Sequence, residues 1–485
     1  MMFGRDMEDL KVILKEEIGY GQNFDIVLRE MTFGTKNTAF LFVNGFAKDE
    51  VLTDILKQLS CYRTNAETAL DCEGFKRYLI PHVQVEQSTR IKDVIAKVLA
   101  GTTAMFVEGE QSALLIDAKR LPSRGIEEPS LERVVRGSRD GFVETLMVNA
   151  ALVRRRIRDP QLKLEMTQVG RRSLTDVCIS YIADIADPKL ISAIKQKLDT
   201  LDIDGLPMSE KQLDEWLMNK GWNPYPQVRY TERPDVVANH LLEGHVAIMV
   251  DTSPSVMIVP ATFFHFVQHA EEYRQTPFMG TYLRWVRFLG IFASLFMLPL
   301  WFLLVKHPEF KPALLDFIGP QKTGKLPIIM QFIFAEIGVD LMRMAAVHTP
   351  TPLATAMGLI AAILIGDIAV QTGLFVNEVI LYMAVAAIGM FATPSYELGL
   401  ANRAVRLILL LAVAVFGVKG FLISTTLFVI YLTLQNSYHA PYFWPLIPFH
   451  PKAMFNILFR RPVQTQSQRL NLTKPIDHTR QSSNQ

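Results

Sequence analysis

Cysteine is scarce in this sequence: Cys61, Cys72 and Cys178 are the only three in 485 residues. They form no CxxC pair and no metal-ligand spacing, which argues against a disulfide framework or a cysteine zinc site, and they read as reduced thiols of a cytosolic domain. A strong charge imbalance is also lacking. Lys and Arg total 50 against 48 Asp and Glu, a formal net charge of +2, too little for a nucleic-acid footprint. There is no GxGxxG after a strand and no GxxxxGK[ST], so nothing cradles a nucleotide phosphate. HExxH is missing, and Ser253 lies in a TSPS turn without the glycines of a nucleophile elbow. His265 and His269 have i, i+4 spacing, with His240 and His245 nearby in sequence, but packing histidines explain such a cluster more often than a metal does. No catalytic residue, metal or cofactor is expected. The start, MMFGRDMEDLKVILKEEIGYG, has no apolar h-region, so no secretory signal is read and the soluble part is expected on the cytoplasmic side.

What the sequence has in quantity is apolar length. Charged residues crowd the first 280 positions, whereas Phe288 to Leu434 is dominated by long apolar runs. The most telling run is PTPLATAMGLIAAILIGDIAVQTGLF, from Pro350 to Phe375. Leu353 to Val370 has about the length of a membrane-helix candidate. Ala354, Gly358, Ala362 and Gly366 recur at i, i+4 and give a small-residue face for close helix approach. Asp367 follows, with Gln371 one turn on. Either the helix ends there with Asp367 at headgroup level, or Asp367 forms a polar mouth on a helix packed against symmetric copies. On the second reading Thr355, Asp367, Gln371 and Glu378 line an ion pathway.

Before these runs, the sequence predicts an α/β soluble region of two subdomains. Residues 1–120 carry a helix over Met7 to Ile18, a hairpin over Asp25 to Gly45, helices at Val51 to Leu59 and Ile91 to Leu99, and a further strand pair over Thr102 to Asp117. Residues 131–277 carry an arginine-rich helix with Arg154, Arg155, Arg156 and Arg158, a capping-box pattern at Ser209, and strands at His245 to Asp251 and Ser255 to Val259. The arginines either form a solvated helix face, pack against acids such as Glu144, or bind anionic lipid or a partner.

The membrane domain is expected over residues 284–434, as an α-helical polytopic unit of four to five helices. Phe288 to Val305 is its first span, with Trp285 and Trp301 as interfacial anchors. Leu326 to Val347 is interrupted by Glu336, Asp340 and Arg343 on one helical face, with Asp340 and Arg343 placed to pair. That polar seam suits an interfacial or re-entrant helix, or one inside a bundle, and it is either structural or an ion site. Leu407 to Leu434 reads as one long span with a kink or break near Lys419-Gly420. The basic tail, 435–485, is expected on the cytoplasmic side and disordered after Pro462.

Several motifs resemble, in order, the A-subunit family of spore germinant receptors. They are RGSRDGF (Arg136 to Phe142) with the following RRRI, TERPD (Thr231 to Asp235), EGHVAIMVDTSPSVMIVP, IGDIAVQTG (Ile365 to Gly373) and PSYEL (Pro394 to Leu398). The resemblance extends from about Phe24 to Pro462. It implies a multi-pass protein of the inner spore membrane with a cytoplasmic N-terminal region, and a homo-oligomeric, pentameric complex that releases monovalent cations in germination. A small membrane protein or other germination proteins are the implied partners, besides the bilayer, and nucleic acid is not one. The alternative is the A subunit of a nutrient-sensing receptor, although Met344 and His348 stand where such subunits tend to carry Glu and Arg.

Overall fold

The structure, a computed structural model, describes residues 6–481 except 62–70, 121–131, 133, 219–220, 313–318, 323, 349–357, 359–367 and 439. Its soluble half consists of two units with the same topology. The first runs α1 (Met7–Ile18), β1 (Ile26–Phe33), β2 (Lys36–Val43), α2 (Asp49–Cys61), β3 (Val85–Ser88), α3 (Ile91–Leu99), β4 (Thr103–Val107) and β5 (Ala113–Ile116). The second runs α4 (Leu146–Arg156), β6 (Leu162–Val169), β7 (Thr175–Ile182), α5 (Pro188–Asp199), α6 (Ser209–Met218), β8 (Arg229–Thr231), α7 (Pro234–Leu242), β9 (Val246–Val250) and β10 (Val256–Val259). The sheets are ordered β1-β2-β4-β5-β3 and β6-β7-β9-β10-β8, the same order in both, and every pair is antiparallel.

Alternation along the strands explains why helices cover both faces. In β4, Ala104 and Phe106 point to a core shared with α1 and α3, whereas Met105 and Val107 point to one shared with α2. In β9, Ala247 and Met249 pack with α4 and α7, and Ile248 and Val250 with α5 and α6. The two units are pinned together at Arg154, whose guanidinium donates to Asp25 (Nε–Oδ2 2.8 Å) with both side chains buried. Arg154 is therefore no lipid patch, and its partner is Asp25 rather than Glu144. Ser209 does not cap α6: it sits at φ 43° with its hydroxyl 2.8 Å from that of Thr252.

The apolar half begins with α8, Pro277–Lys306, which with α11 (Tyr396–Leu434) is long and apolar enough to cross a membrane. A π-turn at Ala293–Met297 interrupts α8 just ahead of Pro299. Proline supplies no N–H and its ring crowds the carbonyl four residues back, so the helix widens there. Trp301, read as an interfacial anchor, is 3% exposed and packs edge-on against Phe332 and tilted against Tyr382 inside the bundle. Around it pack α9 (Ile328–His348) and α10 (Asn377–Phe391).

The last apolar run is a helical hairpin, not one long span. Gly417 takes φ 58°, ψ −135°, and a Cβ on Gly420 would collide with the Ala412 carbonyl, so the chain has reversed between them. Asn402 on one arm accepts from Tyr225, while Tyr431 on the other arm donates to neighbouring Asn223. Both arms thus end against the second soluble unit, and the turn lies at the far end of the bundle, beside Lys306, whose ammonium reaches the Ala414 carbonyl (2.5 Å). Beyond α11 the chain packs α12 (Pro451–Leu458) on α8. The stretch after Pro462 is folded rather than disordered as far as Gln481. Ile476 N donates to Ile185 O (2.9 Å) and Arg480 pairs with Glu243 (2.6 Å). Its composition is polar, but its groups find specific partners on the second unit, a tertiary effect that composition does not register.

Candidate functional site

The membrane half builds one dense polar site from three helices. On α9, Glu336, Asp340 and Arg343 share a face through their i, i+4, i+7 spacing. The first arm of α11 turns Arg403 and Arg406 toward that face. Arg403 Nε donates to Glu336 Oε2 and Arg406 Nε to Glu336 Oε1, both at 2.7 Å. Arg403 also pairs with Asp340, and Asp340 with Arg343 at 2.9 Å. Arg406 Nη1 continues to the Ser294 carbonyl (2.6 Å) in the π-turn of α8. Glu336, Arg403 and Arg406 are buried, and the Arg343 guanidinium stacks over Tyr396 at the start of α11. A carboxylate in an apolar bundle is tolerated only when neutralised and hydrogen-bonded, and here both carboxylate oxygens of Glu336 are used.

Of the residues expected to form a site, Glu336, Asp340 and Arg343 are thus brought together, with a partner pair, Arg403 and Arg406, that the sequence alone does not single out. Their helical spacing toward α9 was the available signal. Gln371 is exposed, and Glu378, in the first turn of α10, accepts from the Gln321 backbone N–H (3.1 Å); both lie at the end of the bundle away from the soluble units. Thr355, Asp367, Ala354, Ala362 and Gly366 lie outside the described residues. Gly358 is described, and among the described residues nothing lies within 4 Å of a Cβ placed there.

In the second soluble unit His240, His245 and His265 form a triangle with ring centroids 5.0, 5.1 and 5.7 Å apart; His269 is not part of it and instead accepts from the Glu271 N–H. Val236 O and Pro260 O hold the Nδ1 atoms of His240 and His245 at 2.8 and 2.9 Å. Burial lowers all three pKa values, that of His245 to about 4, and the Arg229 charge lowers them further. Among the described residues no group of His, Cys, Asp or Glu is arranged to hold a metal ion. Burial raises the Cys72 and Cys178 thiols to about 11 and 12, so neither is a nucleophile at neutral pH. A cleft beside the triangle is lined by Arg229, Glu132 and His265 of the soluble unit and by Ser395, Tyr396 and Glu397 at the start of α11.

Residues 13–472 match the family described as Bacillus/Clostridium GerA spore germination protein. That span takes in both soluble units, the helices with their buried charges and most of the folded tail. The chain belongs to the GerA spore germination family. Among GerA relatives, stage V sporulation protein AF of Bacillus subtilis (strain 168) is 47% identical over 470 residues, covering 97% of this chain and 95% of that protein. Spore germination protein KA of the same organism is 29% identical over 477 residues, covering 97% and 87%. The crystal structure of the N-terminal domain of the A subunit of the Bacillus megaterium spore germinant receptor GerK3 is similar at 26% identity and a TM-score of 0.40, covering 54% of this chain and 98% of that one. The GerA resemblance expected from RGSRDGF, TERPD and PSYEL is therefore established over nearly the whole length.

Proposed function

We propose that the chain is the membrane subunit of a homo-oligomeric, pentameric ion channel that promotes germination by releasing monovalent cations across the inner spore membrane. Its soluble units would be a non-catalytic assembly module on the cytoplasmic side. One observation carries the reading: one set of charged groups in the apolar half is used up internally, and another stands at the far end of the bundle. The Glu336–Arg403–Arg406 set is consumed internally and cannot serve a passing ion without losing its own partners. Gln371 and Glu378 stand at the far end, with Asp367 just before them in sequence, where a symmetric assembly would repeat each around an axis. Rings of carboxylate concentrate cations and repel anions. The i, i+4 recurrence of Ala354, Gly358, Ala362 and Gly366 in the sequence would suit the close helix contact such an axis needs.

The test is cation efflux from potassium-loaded liposomes carrying the purified full-length chain, alone and with a candidate small membrane partner. Efflux well above empty vesicles is expected; a well-folded, oligomeric preparation that leaves the vesicles tight in both arms contradicts the reading. A second reading, an A subunit of a nutrient-sensing receptor, draws on the match to spore germination protein KA. It predicts efflux only when further subunits and a germinant are present.

A further inference from the structure

We propose that α12 and the first turns of α8 form an interfacial anchor that seats the second soluble unit on an anionic bilayer surface. The inference rests on the reading that α8 spans the membrane. Phe278, Tyr282 and Trp285 follow one another at i, i+4 and i+7 on α8 and are exposed, Phe278 by 79%. The same stripe continues into exposed Leu289 and Phe292, so it is one surface with the part of α8 that would meet hydrocarbon. Beside it, α12 buries only Ala453 and Ile457 and turns Lys452 and Phe455 outward, with exposed Phe459 just past its end.

The two surfaces are fused by fixed contacts. Arg284 Nη1 donates to the carbonyls of Asn456 (2.9 Å) and Ile457 (2.7 Å), the Arg460 N–H donates to Thr281 Oγ1 (3.1 Å), and the Trp285 and Phe459 rings lie 6.2 Å apart. Phe455 and Phe459, whose rings lie 4.9 Å apart, are thus held outward at the level of Trp285. A helix that buries only Ala453 and Ile457 and exposes phenylalanine beside lysine suits an apolar neighbour with a polar, anionic edge.

The headgroup layer has that chemistry. Aromatic rings collect at the membrane–water boundary, and nearby Lys and Arg side chains gain about fivefold each on an anionic surface, the equivalent of ~1 kcal/mol. Arg284 and Arg287 are engaged with buried Glu272, and Arg460 with the carbonyls of Tyr273 and Gln275. Exposed Lys452 and half-buried Arg461 are left at the rim for lipid phosphates.

The experiment uses the full chain in lipid nanodiscs of phosphatidylcholine with or without phosphatidylglycerol, in a Cys61→Ser background, since Cys61 is exposed and Cys72 and Cys178 are buried. A bimane label on Phe455→Cys reports the anchor, Phe459→Cys stands in if that variant misfolds, and Leu289→Cys reports the span. Doxyl lipids should quench both sites, the anchor label more strongly from the shallow than from the deep position. Lys452→Glu with Arg461→Glu should reduce anchor quenching severalfold when phosphatidylglycerol is present and leave it unchanged without. An anchor label that aqueous iodide reaches and doxyl lipid does not, with Leu289 still quenched, overturns the proposal alone. So does an anchor label shielded from both by a second copy, seen as self-quenching. An unquenched Leu289 label contradicts the spanning reading itself.

Discussion

Replacing Glu336 should damage the protein far more than replacing Arg406, although the two share a hydrogen bond. The buried cluster holds two carboxylates, Glu336 and Asp340, and three guanidinia, Arg343, Arg403 and Arg406. Glu336→Gln removes the charge that both Arg403 and Arg406 face and leaves one carboxylate against three cations. Arg406→Met leaves two carboxylates against two guanidinia, with Glu336 still bonded to Arg403, and puts a flexible apolar chain where the bundle is apolar. Breaking a buried pair from the side that strands charge costs about 3–5 kcal/mol, and Glu336→Gln strands Arg406, only 2% exposed, and leaves Arg403, 5% exposed, with Asp340 alone. Arg406→Met loses its hydrogen bonds to Glu336 and Ser294 but regains the desolvation of one cation, for a net loss of roughly 1–2 kcal/mol. Thermal unfolding in detergent, followed by intrinsic fluorescence and by the monodisperse fraction on size exclusion, separates the two. At about 2–4 °C per kcal/mol, Arg406→Met should lower the midpoint by several degrees and Glu336→Gln by about twice that or more. Equal losses, or the reverse order, would refute the charge accounting for this cluster.

Gly420→Leu should prevent the α11 hairpin from closing, because even a Cβ there collides with the Ala412 carbonyl, a backbone group that cannot swing aside. Cysteine pairs across the arms near the turn should crosslink in the parent and fail to do so in that variant. The histidine triangle predicts acid sensitivity. Above pH 6.5 these imidazoles are neutral whether folded or unfolded; as pH falls below 6.5 the unfolded chain takes up protons that the buried rings refuse, His245 until about pH 4. Stability should therefore decline from about pH 6.5 toward 4, by roughly 3 kcal/mol for His245 alone. Denaturant midpoints of the full chain across that range should flatten in His245→Phe; an unchanged slope would mean the triangle does not titrate this way. Asp25→Asn should loosen the contact between the two soluble units, by about 3 kcal/mol for an Arg154 left without its carboxylate, read as a lower denaturant midpoint for the full chain under matched conditions.

Most of the soluble architecture was legible because its signals are local. Gly19 ends α1 in the left-handed region, the strands alternate, and Asp187 with Pro188 starts α5. The duplication was not legible, since β3 and β8 are short edge strands whose places depend on pairing rather than pattern. In the apolar half the sequence located Glu336, Asp340 and Arg343 and the break near Lys419-Gly420. It could not show that Arg403 and Arg406 fold inward, because an arginine's direction is set by the carboxylate it meets, 67 and 70 residues away in sequence. Reading Leu407 to Leu434 as one span with a kink or break followed from its long apolar run; a single glycine, Gly417 at φ 58°, makes that break a full reversal.

On the proposed function, this chain forms a cation pathway with Asp367 at its mouth. The direct measurement is the reversal potential under a salt gradient, recorded in planar bilayers from wild type, Asp367→Asn and Asp367→Lys, each first verified to assemble as wild type does. The account predicts a cation-selective potential for wild type, a smaller one for Asp367→Asn, and a potential near zero or of opposite sign for Asp367→Lys. An unchanged reversal potential in a correctly assembled Asp367→Lys complex would contradict it.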